Sequence, residues 1–334
     1  MRSFARLATA VEERLLVPTY ASRWPAAPVA AHRGLALPLQ LRGPVRRLRA
    51  ETEAGPLRIA AAGRAKLLAP MVERWSGQSA PVAAEAACGL WRPGTLGRLD
   101  ADLILAEVHR WAAPRFRRAG WMVVPDAVRW VGALSEVPGP SPCHSVREDR
   151  RKVRNAGFTL VPAGSAADWE LFTGRMLAPQ ALARFGDDAW VPSASLLAEL
   201  RRAGSLHLVL LDGRAVAGIC AVRRGHSVWF PVSGVLDGDP TLFRRGASLA
   251  ALTLGFEWAR AAGCRRVDAG RTGPFLRDGV LRLKRKWGLR PVVDPLAHVV
   301  AVRVRSPVAR AALLRDPVLI ETAQGIAEYH GVGG

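Results

Sequence analysis

Apolar residues along this chain recur in two different periods, and the changes between them mark out its elements. Between residues 205 and 232 they fall in short blocks, at 206–211, 215–222 and 227–232, separated by Asp212-Gly213 and Arg224-Gly225. Blocks of that length with such separators predict three consecutive antiparallel strands joined by tight hairpin turns. Residues 245–262 instead carry apolar positions at helical spacing, which predicts a long helix leading into a short strand that ends at Asp268. Helices are also expected near 167–183 and 193–203, after a strand at 158–161. Residues 145–157 read as a further helix: Ser145 and Glu148 have capping-box spacing, and Asn155 to Gly157 supplies a stop.

The first 140 residues are patterned less clearly. Residues 1–18 read as an amphipathic helix. Pro18, Pro25, Pro28, Pro38 and Pro44 then favour strands and loops up to about residue 60. Leu99, Leu103, Leu105, Val108 and Trp111 lie roughly on one side of a helix over 97–119, and residues 121–124 and 128–131 read as strands. Toward the C-terminus a strand is expected within 291–304 and a helix over 307–320. The Pro-rich stretch 137–142 is the best linker. These signals give three segments: an N-terminal α/β region over 1–140, a second domain over 141–305, and a C-terminal helix and tail over 306–334.

Composition narrows the class. An apolar content of 49% suffices for a real core and argues against disorder. No apolar stretch approaches the roughly 18 residues of a membrane helix, and no signal-peptide core is present. Cys88, Cys143, Cys220 and Cys264 are scattered, without metal-ligand spacing, as expected of reduced thiols in a cytoplasmic protein. The formal net charge of +20 is extreme. Only four of the 48 basic residues are lysines, a bias that a GC-rich genome explains, yet such a genome would not remove acids. A polyanionic partner such as RNA, or a phosphate-bearing small molecule, accounts for that deficit.

Two of the four lysines sit together at 284 and 286, where a compact ammonium differs chemically from a guanidinium. They belong to residues 264–288, in which an apolar run ends in Asp268-Ala269-Gly270-Arg271-Thr272. A loop broken by Gly and Pro follows, then the basic turn Leu281-Arg282-Leu283-Lys284-Arg285-Lys286-Trp287-Gly288. This order resembles the C-terminal end of the FemAB/FemX-like branch of the GNAT acyltransferases, including the BioF2-like acetyltransferase domains. There an Asp-x-Gly-Arg-Ser-like turn precedes an aromatic-x-Phe-Lys-x-x-Trp-Gly motif. Here Leu281 and Leu283 stand where that family usually has aromatic residues, and Thr272 replaces Ser.

The resemblance implies an α/β (α+β) protein of two GNAT-like halves. Each half is a mixed, largely antiparallel sheet flanked by helices, the N-terminal one degenerate and non-catalytic. It implies transfer of an acyl or aminoacyl group to a small-molecule amine acceptor. Aminoacyl-tRNA or acyl-coenzyme A would be the co-substrate, with no covalently bound cofactor. The charge favours tRNA slightly. The opposing class is a non-catalytic basic RNA-binding protein that keeps the fold.

Residue by residue, the resemblance makes Lys284 the candidate that stabilises the oxyanion, against the plainer reading of a solvated basic turn anchored by Trp287. Asp268 could orient the amine or accept its proton, although such an Asp more often bonds N–H groups of its own turn. Arg244, Arg245, Gly246, Ala247 and Ser248 precede and open the long helix, where a positive dipole end and unpaired N–H groups suit a phosphate. They match the family's pyrophosphate loop only in degenerate form, and an ordinary basic helix start fits them equally. Arg271 and Lys286 are further donor-binding candidates. Arg147, Arg150, Arg151, Lys152 and Arg154 line one face of the 145–157 helix, where RNA phosphates or solvent could meet them. His207 and His226 lie on neighbouring strand patterns with no dyad partner. No nucleophile elbow, Walker loop or His-Glu-x-x-His occurs, and no metal site is indicated.

Overall fold

Residues 42–79, 86–138, 144–186 and 191–331, with the single positions Tyr20, Ala30 and Ala189, are described by a computed structural model. The expected helix at 1–18 and the heart of the Pro-rich linker lie outside the described residues.

The chain begins with β1 (Arg42–Thr52), β2 (Gly55–Ala62), α1 (Ala65–Ser76), β3 (Ala86–Gly89), α2 (Pro93–Leu96), β4 (Leu103–Val108) and α3 (Ala113–Arg118), then β5 (Met122–Pro125) and β6 (Val128–Ala133). Next come α4 (His144–Asn155), β7 (Thr159–Ala163), α5 (Ala166–Glu170), a π-helical stretch (Leu171–Leu177), α6 (Ala178–Phe185) and α7 (Ala194–Ala203). The strands β8 (Ser205–Leu211), β9 (Arg214–Arg224), β10 (Ser227–Trp229) and β11 (Ser233–Val235) lead into α8 (Pro240–Arg245), α9 (Ala247–Ala261) and β12 (Arg266–Thr272). The chain ends with α10 (Gly279–Lys286), β13 (Arg290–Val293), β14 (Val299–Val304), α11 (Pro307–Arg315), β15 (Leu319–Thr322) and β16 (Gly325–Glu328).

Two compact units result, and neither is a continuous stretch. One holds residues 29–129, 272–282 and 291–334; the other holds 1–28, 130–271 and 283–290. The expected cuts at 140/141 and 305/306 are not where the units part. The reason is strand pairing: β14, near the end of the chain, is antiparallel to both β4 and β5, between which it lies. The expected C-terminal helix stops at Arg315 and is followed by the β15–β16 hairpin rather than a tail.

In the first unit the sheet order is β3-β1-β2-β4-β14-β5. Leu68, Met71, Val72 and Trp75 of α1, with Ala309, Ala312 and Leu313 of α11, share one apolar layer with residues of the sheet. Leu96 of α2 and Phe116 of α3 pack into the other. The strand β4 therefore has every residue buried. That explains why residues 97–119 read as a helix: a strand covered on both faces loses its alternation, and a short apolar run fits either period.

In the second unit β7, β8, β9 and β10 are antiparallel neighbours, β10 pairs with β12 in parallel, and β6 lies beyond β12. The three strands expected between 205 and 232 are present, and α9 packs on β8 and β9. The sheet is mixed and flanked by helices, the α/β class expected from the sequence.

Candidate active site at the open end of β12

The parallel pairing of β10 with β12 runs from Ser227↔Arg266 to Trp229↔Asp268. One more bond, from the Phe230 N–H to the Asp268 carbonyl (2.8 Å), closes it. Pro231 has no N–H to continue the ladder. Past it the chain turns to β9 instead, through Cys220 N–H to Val232 O (3.0 Å) and the pairs Ser233↔Ile219 to Val235↔Ala217. Meanwhile β12 continues to Thr272. Among the described residues, neither β10 nor β11 pairs with Ala269 to Thr272, so two strands that begin as neighbours diverge into a wedge.

Side chains organise that open end. Asp268, buried, accepts a hydrogen bond from the Gly270 N–H (2.9 Å), an Asx turn of the kind expected for it. Gly270 has φ +76°, and a Cβ there would stand 3.0 Å from the Phe230 carbonyl oxygen, so glycine is required on both counts. Consecutive carbonyls of an extended strand point opposite ways. At this left-handed residue two of them converge on one cation, Lys284 Nζ, which donates to Gly270 O (3.2 Å) and Arg271 O (3.1 Å). Lys284 is 6% exposed. The basic turn read from the sequence is thus a two-turn helix, α10, started by Asp278 accepting from the Val280 and Leu281 N–H groups (2.8 and 3.0 Å). Its key lysine is not solvated.

Lys286 departs from the donor-binding expectation. Its ammonium donates to Ser145 Oγ (3.0 Å) and pairs with Asp149 (2.5 Å), which also accepts from Trp287 Nε1 (3.3 Å). These contacts tie α10 to α4, and Trp287 is buried beside Phe256. Helix α4 begins at His144, so Ser145 lies within its first turn and serves Lys286 instead of the expected capping box. Glu148 faces His144 (3.8 Å) and Arg151 (3.6 Å). Val146 and Val153 are buried, and Arg147, Arg150, Arg151, Lys152 and Arg154 are exposed, the two-faced helix that the spacing predicts.

Gly246, left-handed at φ +101°, ends α8 and starts α9. No side chain caps α9, so the N–H groups of its first turn, including those of Ala247 and Ser248, have no intrahelical acceptors. Arg244 and Arg245 are exposed; Arg244 donates to Thr241 Oγ1 (3.1 Å), and Arg245 lies 3.9 Å from Asp212. The stem of Lys152 passes the same junction, its Cδ and Cε 3.6 Å from where a Gly246 Cβ would be. Residues about 90 apart in sequence, proposed separately for RNA and for the donor, therefore adjoin. No local signal in the sequence joins them. Arg271 is exposed on the open end of β12.

The two strand histidines each meet a neighbouring group. His226 Nδ1 lies 3.1 Å from Gly263 O. His207 is buried, its Nε2 3.0 Å from Ser205 Oγ and its ring 4.2 Å from that of Trp258. Burial pulls the His207 pKa below the ordinary histidine value of about 6.5. The unfolded chain takes the proton first, so this contribution to stability is complete above about pH 6.5 and erodes as pH falls below it. A His207→Gln variant is expected to lose part of the drop in melting temperature between pH 7 and pH 5; an unchanged drop would rule this source out. Burial also pushes the Cys220 thiol up to about 12, leaving it without thiolate character at neutral pH.

Residues 143–284 match the family model described as the acetyltransferase (GNAT) domain. This segment is similar to that domain, in agreement with the resemblance read from residues 264–288. Among solved structures, L-PGS from Bacillus licheniformis is 11% identical, with a TM-score of 0.42 over 80% of this chain and 87% of that one. FemX is 10% identical, with a TM-score of 0.41 over 77% and 83%. A GCN5-related N-acetyltransferase from Sphaerobacter thermophilus is 16% identical, with a TM-score of 0.37 over 78% and 76%. These likenesses are distant, and the assignment of the domain rests on the family match. None of the curated proteins matches the chain. Among the described residues no helix is long and apolar enough to cross a membrane, and no cluster of metal-ligating side chains occurs.

Proposed function

We propose that the GNAT domain transfers an acyl or aminoacyl group from an activated ester or thioester to an amine, as an enzyme of the FemAB/FemX-like branch. The observation that carries this reading is the divergence of β10 and β12 after Trp229 and Asp268. Among the described residues it parts β10 from β12 beyond Asp268, beside the buried ammonium of Lys284, and an extended donor arm is assigned to that gap. The amine nitrogen attacks the carbonyl carbon, the bond to the donor oxygen or sulfur breaks, and the proton lost by the amine passes to the leaving group or solvent. Negative charge builds on the carbonyl oxygen in between, where a preorganised cation is most effective. Lys284 is assigned that role. Asp268 is assigned the shaping of the turn that presents it.

The donor's phosphates are assigned to Arg244, Arg245 and the start of α9, and Arg271 to the donor's reacting end. Aminoacyl-tRNA is the favoured donor, because a net charge of +20 exceeds what one pyrophosphate needs. The exposed arginines of α4, joined to the α8–α9 junction through Lys152, extend the same cationic surface.

The other unit supports placing the chemistry in the GNAT domain. Its β2–α1–β4 segment repeats the order strand, helix, parallel strand, yet β2 and β4 stay paired from Ile59↔Leu103 to Ala62↔Ala106. Beyond that pair the buried Glu107 is paired with the partly exposed Arg64, and this ion pair is assigned the position that corresponds to the gap beside β12.

An assay with purified protein, a candidate amine and either acyl-coenzyme A or a tRNA-charging system tests the donor. Loss of product on ribonuclease treatment is expected; product that survives ribonuclease and omission of tRNA would eliminate the tRNA reading. Neutralising Arg147, Arg150 and Arg151 together is expected to flatten the salt dependence of RNA binding by about 2 in log–log slope, at roughly 0.7 for each phosphate left without its cation.

A further inference from the structure

Trp111 is the most exposed of the large apolar side chains in the described residues, at 57%. It sits in a helical turn, Arg110–Ala112, that runs directly into α3. Counting along that turn and helix, Trp111, Arg115 and Arg118 are spaced i, i+4 and i+7, which places them on one face. Arg115 and Arg118 are exposed, and Arg118 is steadied by donating to the Pro114 carbonyl (3.4 Å). The opposite face carries Ala112, Ala113 and Phe116 into the core, where Phe116 meets Trp121 edge-on. Arg303 extends the cationic surface past the end of α3, donating to Ala119 O (3.4 Å) and lying 5.6 Å from the Trp121 ring.

No acid offsets these charges from within the segment. Between residues 91 and 119 the acids are Asp100, Asp102 and Glu107; Arg58 pairs with the first two and Arg64 with the third. The Trp111 backbone N–H donates to His109 Nδ1 (3.3 Å), and the indole is tilted by 58° beside the His109 ring, 6.1 Å between centroids, which leaves it 57% exposed. An aromatic plane flanked by guanidinium groups offers what a polynucleotide strand needs, a stacking surface for a base and cations for its phosphates. A membrane surface would need a whole apolar face to insert. Here Trp111 is alone, because its apolar neighbours on the helix point inward.

We infer that the face of Trp111, Arg115 and Arg118 is a contact surface for single-stranded nucleic acid. It deepens the aminoacyl-tRNA reading by giving the unit outside the GNAT domain core an RNA-binding role of its own. The test needs no acyl transfer, so its failure and the failure of that reading are distinguishable.

Binding of a fluorescein-labelled oligoadenylate is followed by anisotropy at several salt concentrations. Trp111→Ala is expected to weaken it by roughly 5- to 150-fold, the range for losing one stacked base, and Trp111→Phe to retain most of it. The pair Arg115→Gln and Arg118→Gln is expected to lower the salt slope by about 1.4. Near-ultraviolet circular dichroism confirms that each variant is folded. Unchanged affinity of Trp111→Ala at matched salt would overturn the inference. So would a loss confined to vesicles of phosphatidylcholine and phosphatidylglycerol, which would reassign the face to a membrane surface.

Discussion

Replacing Lys284 by alanine is expected to lower turnover by about 10²–10³, the typical cost of losing one preorganised oxyanion donor. The ammonium is buried and already oriented by two carbonyls, so little reorganisation is needed when charge develops beside it. Its removal also leaves those carbonyls short of a donor, at roughly 1–3 kcal/mol for a buried polar group. A melting temperature a few degrees lower is therefore expected together with the fall in kcat. The two effects separate in the Lys284→Arg variant. A guanidinium can still satisfy the Gly270 and Arg271 carbonyls, but it is too large and planar to place a point charge at the same spot. Stability should recover and turnover should not.

Lys286→Ala serves as the comparison. Its partners are Asp149 and Ser145, so the expected loss is in stability through α4, with kcat changed only a few-fold. Equal and small effects of both alanine variants on kcat, at saturating donor and acceptor, would reduce Lys284 to a clamp on the end of β12.

The parts of this site that were legible in the sequence are those encoded locally. The Asp212-Gly213 and Arg224-Gly225 separators gave the strand order, and Asp268-Ala269-Gly270 gave its turn with the Asp–amide bond that the structure contains. The scarcity of lysine marks the segment that holds Lys284 and Lys286, and only the motif resemblance distinguishes Lys284 from its neighbour. What the sequence hid depends on pairing between distant segments. The wedge exists because Val232 and its successors pair with β9 while β12 runs on, and neither strand announces that choice. Lys286 read as a donor ligand because its partner Asp149 is 137 residues upstream, on a helix whose own charge run concealed a single structural acid. The partition into units was misplaced for the same reason: β14 is an ordinary apolar strand, and nothing local says that it belongs between β4 and β5.

Removing the carboxylate of Glu107 is expected to destabilise the other unit by about 3 kcal/mol for Glu107→Ala. Glu107 is 0% exposed and accepts from the Arg64 N–H (2.9 Å) and from the Arg64 guanidinium (Nε 2.7 Å, Nη2 2.6 Å). The same guanidinium lies 3.0 Å from His298 Nδ1. The carboxylate comes this close because residue 63 is glycine at φ +134°; a Cβ there would stand 2.5 Å from Glu107 Cβ. Breaking a buried pair by deleting one member typically costs about 3–5 kcal/mol, since the remaining charge is stranded. The lower end applies because the Arg64 side chain is 29% exposed and regains some water.

Glu107→Gln keeps the shape and one acceptor, so it should cost less than the alanine change. Glu51→Ala removes an exposed partner of Arg49 and should stay within about 0.5 kcal/mol of the parent. Urea unfolding can read all three, with each unit's transition fitted separately because a two-unit chain need not unfold in one step. A Glu107→Ala protein within about 1 kcal/mol of the parent, the range of an exposed pair, would mean that Arg64 and Glu107 contribute little to holding β2, β4 and β14 together. The closed end of this unit would then need another explanation than the ion pair that fills it.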